Sequence, residues 1–310
     1  MVTEVKCIFC LKENQKASEE HIFPDSLGGQ LVTYDVCKEC NDILGQKVDS
    51  PLVNSGLMQF ARFTKRLKGK KGKIPNPIGK GKYKDDPNTT LHYNFTDDGK
   101  PHSLYVVPRV KVEDNNYEIS VDASEPNRLV KDVNKILARN GLEPKTQEEI
   151  LSTAKYVKID NPTMEINMSF DMSSYKKAII KIIYEMTYYW LGEKYLTDSM
   201  GSKIRDYILS DELEVDGLFG KVGLVTENNI GLNFLADSDS HIALLKRNGN
   251  KLYCYVNIFN NFDGGFIVTE HANLYSKIED RFLKNDVVKK EIRESTLLKE
   301  IVKITNETAE

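Results

Sequence analysis

Residues 7–41 read CIFCLKENQKASEEHIFPDSLGGQLVTYDVCKECN. Two Cys-x-x-Cys pairs, Cys7/Cys10 and Cys37/Cys40, bracket an adjacent Glu20-His21, and Asn41 directly follows the last cysteine. Each Cys-x-x-Cys turn can bring two sulfurs to one ion, and two such turns complete a tetrahedral four-thiolate set of the kind Zn2+ favours. Two disulfides are the alternative. A Cys-x-x-Cys disulfide is strained and redox-active, and nothing at the N-terminus resembles a secretory signal. We therefore read Cys7, Cys10, Cys37 and Cys40 as a closed, structural zinc site and expect a cytoplasmic protein.

The chemistry lies between the knuckles. In an extended strand Glu20 and His21 point to opposite faces. A carboxylate can hold a hard cation while neutral imidazole takes a proton from water near pH 7. Asn41 offers an amide oxygen to the same cation. Leu27-Gly28-Gly29 supplies the turn that returns the chain.

In these residues the chain resembles the zinc-type HNH endonucleases, which have the ββα-metal fold. The shared pattern is C-x-x-C, E-H-x-x-P-x-x-L-G-G, V-C-x-x-C-N, then a Gly and an Asp, and it covers residues 5 to about 55. The resemblance implies that Glu20 and Asn41 hold a catalytic Mg2+ or Mn2+, that His21 is the general base, and that the four cysteines hold zinc. Two features depart from the pattern. Many HNH motifs carry an Asn in the strand after the Gly-Gly turn, where it orients the catalytic His; here that strand reads QLVTYDV. The final His of the named motif is also missing. Asp49 lies eight residues beyond Asn41, roughly 80° round a helix. It is a candidate third ligand, or the cap of a helix opening at Ser50-Pro51.

Around this stretch the chain is basic. Residues 1–84 hold 15 Lys/Arg and 9 Asp/Glu, and the remainder holds 28 and 37, within a total charge of −3. That split places a nucleic-acid partner at the N-terminal end. A helix is expected from Pro51 to about Leu67, turning basic at Arg62, Lys65 and Arg66. The Gly/Pro-broken run from Lys68 to Lys84 follows it. Lys68, Lys70, Lys71 and Lys73, with the three helix cations, form a candidate strip for the DNA backbone; a solvated linker is the competing reading.

Beyond residue 90 the pattern is mixed. Strands are expected at 104–108, 117–121, 242–245, 252–259 and 266–268, and a helix pair over 125–155 with Leu129, Val133, Ile136 and Leu137 inward. The strongest helix, Tyr175–Leu196, presents Ala178, Ile179, Ile182, Ile183 and Met186 on one face and Lys176, Lys177, Lys181 and Glu185 on a polar one. The end of the chain, from Leu274, reads as helical. His92, His102, His241 and His271 have no partners at ligand spacing, and Cys254 reads as a buried thiol.

The expectation is an α+β chain: an HNH nuclease domain over 1–67, a basic linker over 68–89, and an α+β domain over 90–310 for target recognition, sensing or assembly. Its candidate partners are DNA, a second copy of the chain, and a small-molecule or protein effector, with no membrane span. The expected activity is metal-dependent hydrolysis of DNA phosphodiesters, in restriction or antiphage defence. A nucleotide-gated nuclease and a non-cutting zinc-stabilised DNA-binding protein are the alternatives. Residues 1–84 alone are expected to fold around zinc and cut without selectivity.

Overall fold

The structure is a computed structural model and describes residues 4–69, 72–113, 116–167, 172–211, 221–225, 232–275, 278 and 280–307. At the N-terminus β1 (Glu4–Val5), β2 (Gln15–His21) and β3 (Val32–Cys37) form a three-stranded antiparallel sheet in that order. Helix α1 (Lys38–Leu44) follows β3 without a loop. Cys37 caps it, its Sγ accepting from the Cys40 amide. A π-helical turn over Gly45–Asp49 leads into α2 (Ser50–Val53), and α3 (Gly56–Thr64) comes next. One continuous helix was expected here. Ser55 interrupts it: its backbone is extended and its hydroxyl accepts from Met58 N, which starts a new helix.

Residues 76–169 are a compact unit of their own. In it β4 (Lys80–Tyr83), β5 (Thr90–Phe95), β6 (Pro101–Val106) and β9 (Met164–Glu165) make a sheet ordered β6-β5-β4-β9, and β7 (Arg109–Glu113) pairs with β8 (Asn116–Ser120). The expected helix pair is α4 (Pro126–Arg139) and α5 (Gln147–Thr153), the second opened by a Thr146–Glu149 capping box. Leu129, Val133, Leu137 and Ile150 form a core within this unit.

The chain then re-enters the first unit. Helix α6 (Met172–Leu191) and α7 (Ser199–Leu209) pack on a six-stranded antiparallel sheet. Its strands are β10 (Lys221–Leu224), β11 (Ser240–Asn248), β12 (Lys251–Ile258), β13 (Phe262–Thr269), β14 (Asp280–Asp286) and β15 (Glu291–Ser295), ordered β10-β13-β12-β11-β14-β15. Helix α8 (Leu297–Glu307) ends the described chain. The segment after Leu274 was read as helical, yet residues 280–295 are two strands. Their charged residues mask a strand that buries Phe282 on one face and Leu283 and Asn285 on the other.

The division of the chain is discontinuous. One compact unit is Met1–Pro75 with Phe170–Glu310, and the other is Asn76–Ser169. The boundaries expected at 67 and 90 instead separated the N-terminal module from everything after it. A module of about fifty residues buries only a modest share of its apolar surface on its own. Here Ile8, Phe9, Phe23, Leu27, Val36, Leu44 and Leu52 belong to the same core cluster as Ile179, Ile183, Val256 and Phe262. Among the described residues no helix is long and apolar enough to cross a membrane.

Candidate active site

The four knuckle thiols converge: the Sγ atoms of Cys7, Cys10, Cys37 and Cys40 all lie within 4.8 Å of one another. Cys10 and Cys37 are 3.9 Å apart, close to the ~3.8 Å edge of a tetrahedron with Zn–S bonds of about 2.3 Å. All five cysteines are free thiols, so the disulfide alternative falls away. Backbone amides point at the sulfurs, from Cys37 to Cys7 and from Cys40 to Cys37. Burial pushes the Cys40 thiol far up, and its thiol neighbours add to the shift. Thiolates crowded in this way need a cation between them, and the donor set suits one zinc ion.

The Gly-Gly turn sets the geometry of the hairpin above this cluster. Gly28 has φ +83°, and a Cβ there would lie 2.9 Å from Val287 Cβ; at Gly29 it would lie 1.7 Å from the Phe23 carbonyl oxygen. The distant half of the unit holds the turn. Asn285 accepts from Gln30 N at 2.8 Å and donates to Gly28 O at 3.1 Å. His241 lies between the rings of Phe23 and Phe259, and its Nε2 donates to Leu27 O at 2.9 Å. Burial pushes His241 down to about 4, so the ring is neutral, with the proton on Nε2. No partner at ligand spacing marked this histidine in the sequence, and it is a fully buried, hydrogen-bonded clamp.

Beside that turn stand the motif residues. His21 ends β2, half-buried, and no hydrogen bond to its ring is found among the described residues. Asn41 on α1 is tied to the same strand: its Nδ2 donates to Ser18 Oγ at 3.0 Å and to Glu19 O at 2.7 Å. Those two bonds engage the nitrogen end of the amide and leave Oδ1 as the end available to a cation. A bulge between Ser18 and Glu20 turns Glu20 inward, where it is 5% exposed.

There Glu20 meets a side chain that the sequence reading had put on a polar face. Lys181 of α6 is fully buried and donates to Glu20 Oε1 at 2.5 Å and to the two Asp49 oxygens at 2.9 and 3.1 Å. Glu185, one turn on, is also buried and lies 3.7 Å from the same ammonium. Burial alone would push Lys181 down; Asp49, Glu185 and Glu20 outweigh it and hold the ammonium well above its ordinary value. Burial pushes Glu185 well up against the pull of Lys181, and neither of its oxygens has a hydrogen-bond partner. Burial also raises Glu20, against the pull of Lys181. Asp49 does not cap α2; its carboxylate is committed to Lys181.

These positions can be tested against the implied divalent ion. Glu20 Oε1 is engaged by Lys181, and among the described residues no hydrogen bond reaches Oε2. Glu20 Oε2 and Asn41 Oδ1 are thus an anionic and a neutral oxygen donor of the kind Mg2+ and Mn2+ take, while both Asp49 oxygens are occupied.

The proposed DNA strip is only partly free. Arg62 is buried, and Lys65 pairs with Asp239 at 2.9 Å over the Phe259 ring. Both are spent inside the fold and leave the list of DNA contacts. Arg66, Lys68 and Lys73 are exposed; Lys70 and Lys71 lie outside the described residues. Neutralising Lys68, Lys70, Lys71 and Lys73 together is expected to flatten the salt dependence of DNA binding by roughly 0.9 log unit per lost phosphate contact. An unchanged slope in a fluorescence-anisotropy titration would make the strip a linker.

Lys181, Glu185, Tyr184 and His241 were missed as parts of the site. Tyr184 Oη donates to Ile8 O at 2.7 Å and so fixes α6 to the first knuckle. One signal was present: residues 178–187, AIIKIIYEMT, are apolar round most of the helix. Such a helix is buried on all sides, so Lys181 and Glu185 had no solvent face to occupy.

Residues 7–57 match the family model of the HNH endonucleases. No curated protein and no solved structure matches the chain.

Proposed function

We propose, from an HNH endonuclease domain over residues 7–57, that this protein hydrolyses DNA phosphodiesters with His21 as general base and Glu20 and Asn41 as ligands of a divalent ion. The observation that carries the reading is the Asn41 amide, hydrogen-bonded onto the strand that ends in Glu20-His21. It ties the helix that carries Asn41 to the strand that carries Glu20 and His21. Mg2+ or Mn2+, when bound, supplies Lewis acidity at the scissile phosphate and stabilises charge on the leaving oxygen.

The chain's own residues do the rest. His21 accepts the proton of the attacking water. Asn41 is oriented by Ser18 and Glu19, and Glu20 by Lys181. Zinc, when bound, would be held by Cys7, Cys10, Cys37 and Cys40 and would tie the first knuckle to the start of α1, which carries Asn41. Lys68 and Lys73 lie along the phosphate backbone. A cut of this kind suits restriction or antiphage defence in the cytoplasm, with residues 76–169 and the six-stranded sheet available to select the target.

The test is plasmid cleavage by the full chain in Mg2+ or Mn2+. His21→Ala is expected to keep DNA and Mn2+ binding and to lose cleavage by about 100-fold or more. Glu20→Ala is expected to weaken Mn2+ binding and to be partly rescued by excess metal, with Asn41→Ala between them. Rescue of His21→Ala but not of Glu20→Ala, or normal cutting by all three, would overturn the assignment.

A further inference from the structure

Lys181 has no place in the HNH motif, yet it touches two of the three acidic or amide groups the motif offers to a cation. Its ammonium lies among Glu20 Oε1 at 2.5 Å and the Asp49 oxygens at 2.9 and 3.1 Å. Carboxylate oxygens converging on one positive point are also the arrangement that holds a divalent ion. The helix that carries the ammonium is fixed to the zinc knuckle by Tyr184, three residues on, through Ile8 O. The charge is therefore delivered to a defined point beside the motif.

A tether alone does not account for it. Burying an ammonium costs several kcal/mol, and a buried ion pair can often be replaced by packed apolar residues with no loss of stability. The surroundings of α6 are apolar enough for that: Ile179, Ile180, Ile182 and Ile183 are all fully buried. A lysine is required here if Glu20 and Asp49 must stay carboxylates close together and still not share an ion.

We propose that Lys181 is a positioning residue of the nuclease centre: its ammonium fills the space between Glu20 and Asp49 that a divalent cation would otherwise take. Asp49 is thereby withdrawn from metal binding, and Glu20 is left with Oε2 alone to offer. The device restricts the centre to one ion, placed by Glu20 and Asn41. This rests on the reading of Glu20 as a metal ligand.

The prediction has opposite signs for binding and for cleavage. In the zinc-loaded full chain, Lys181→Met removes a positive charge from beside the ligands and frees Asp49. Mn2+ affinity, read by the electron paramagnetic resonance signal of free Mn2+, is expected to rise about tenfold or more. Plasmid cleavage at saturating Mn2+ is expected to fall at least about tenfold, because the ion is drawn towards Asp49 and away from the scissile position. Lys181→Arg keeps the charge and is expected to hold Mn2+ affinity near wild type. Zinc content and a melting curve report the fold. If Lys181→Met does not fold, Lys181→Met/Glu185→Gln carries the same comparison with one fewer uncompensated carboxylate.

The proposal is overturned if a folded Met variant binds Mn2+ as wild type does, or if binding and cleavage are lost together. It is overturned equally if neither Met variant folds, since the ion pair is then structural. If Mn2+ binding rises as expected but wild type cuts no nucleic acid, the positioning role stands and the nuclease reading falls.

Discussion

A chain ending at residue 84 is expected to stay largely unfolded in the presence of zinc and to leave plasmid uncut under Mn2+. The sequence suggested the reverse, an autonomous nuclease released from control. The structure gives the reason for the change. Ile8, Phe9, Phe23, Leu27, Leu52 and Met58 are buried in a core completed by residues after 170. Exposing even half of that surface costs on the order of 10 kcal/mol, as much as the net stability of a typical domain. The truncation also removes Asn285 and His241, which hold the Gly-Gly turn, and Lys181, which orients Glu20. Circular dichroism and a nicking assay on the fragment check this. Mn2+-dependent nicking by residues 1–84 would show that the module is self-sufficient.

Zinc removal is expected to melt far more than the knuckle. Structural zinc contributes apparent binding energies of about 10–16 kcal/mol in small modules. Here Cys7, Cys37 and Cys40 lie in the same core cluster as α6 and the six-stranded sheet. Cys40→Ser, or a chelator, is expected to abolish cleavage and to lower the melting temperature by about 10 °C or more. Hydrogen exchange should rise together in β2, β3, α1 and α6. The core of residues 76–169 is built from Leu129, Val133, Leu137 and Ile150 and should keep its protection. Elemental analysis should find about one zinc per intact chain. A zinc-free protein with an unchanged melting curve would remove the metal from the account of stability.

The four-cysteine cluster was legible because its geometry is local: Cys-x-x-Cys fixes two sulfurs within one turn, and the Gly-Gly hairpin brings the second pair back to the first. Helix and strand periodicity placed α4, α6, β11, β12 and β13 for the same reason. What stayed hidden depends on contacts across more than a hundred residues. Lys181 looks solvated by its charge alone, and only its partners, Glu20 and Asp49, show that it is not. Lys65 likewise reads as a DNA contact until Asp239 and Phe259 arrive from the other half of the unit, and Arg62 until the fold buries it. The strands at 280–295 failed on pattern, since lysines and glutamates on the exposed positions imitate a charged helix. The discontinuous unit could not be read locally at all, because each half supplies a face that is incomplete without the other.

The order in which the chain is made gives that discontinuity a consequence in time. The motif leaves the ribosome first, but the residues that finish it come more than 120 positions after Asp49. At about 5–20 residues per second, the nascent module waits roughly 7–26 seconds for Lys181 and roughly 12–47 seconds for Asn285, while residues 76–169 are free to fold on their own contacts. During that interval zinc can gather the thiols, but Glu20 has no counter-charge and the Gly-Gly turn has no clamp. A chain released before Lys181 is made is therefore expected to be inert. If the finished chain cuts as proposed, the order of synthesis alone keeps an unfinished one from cutting.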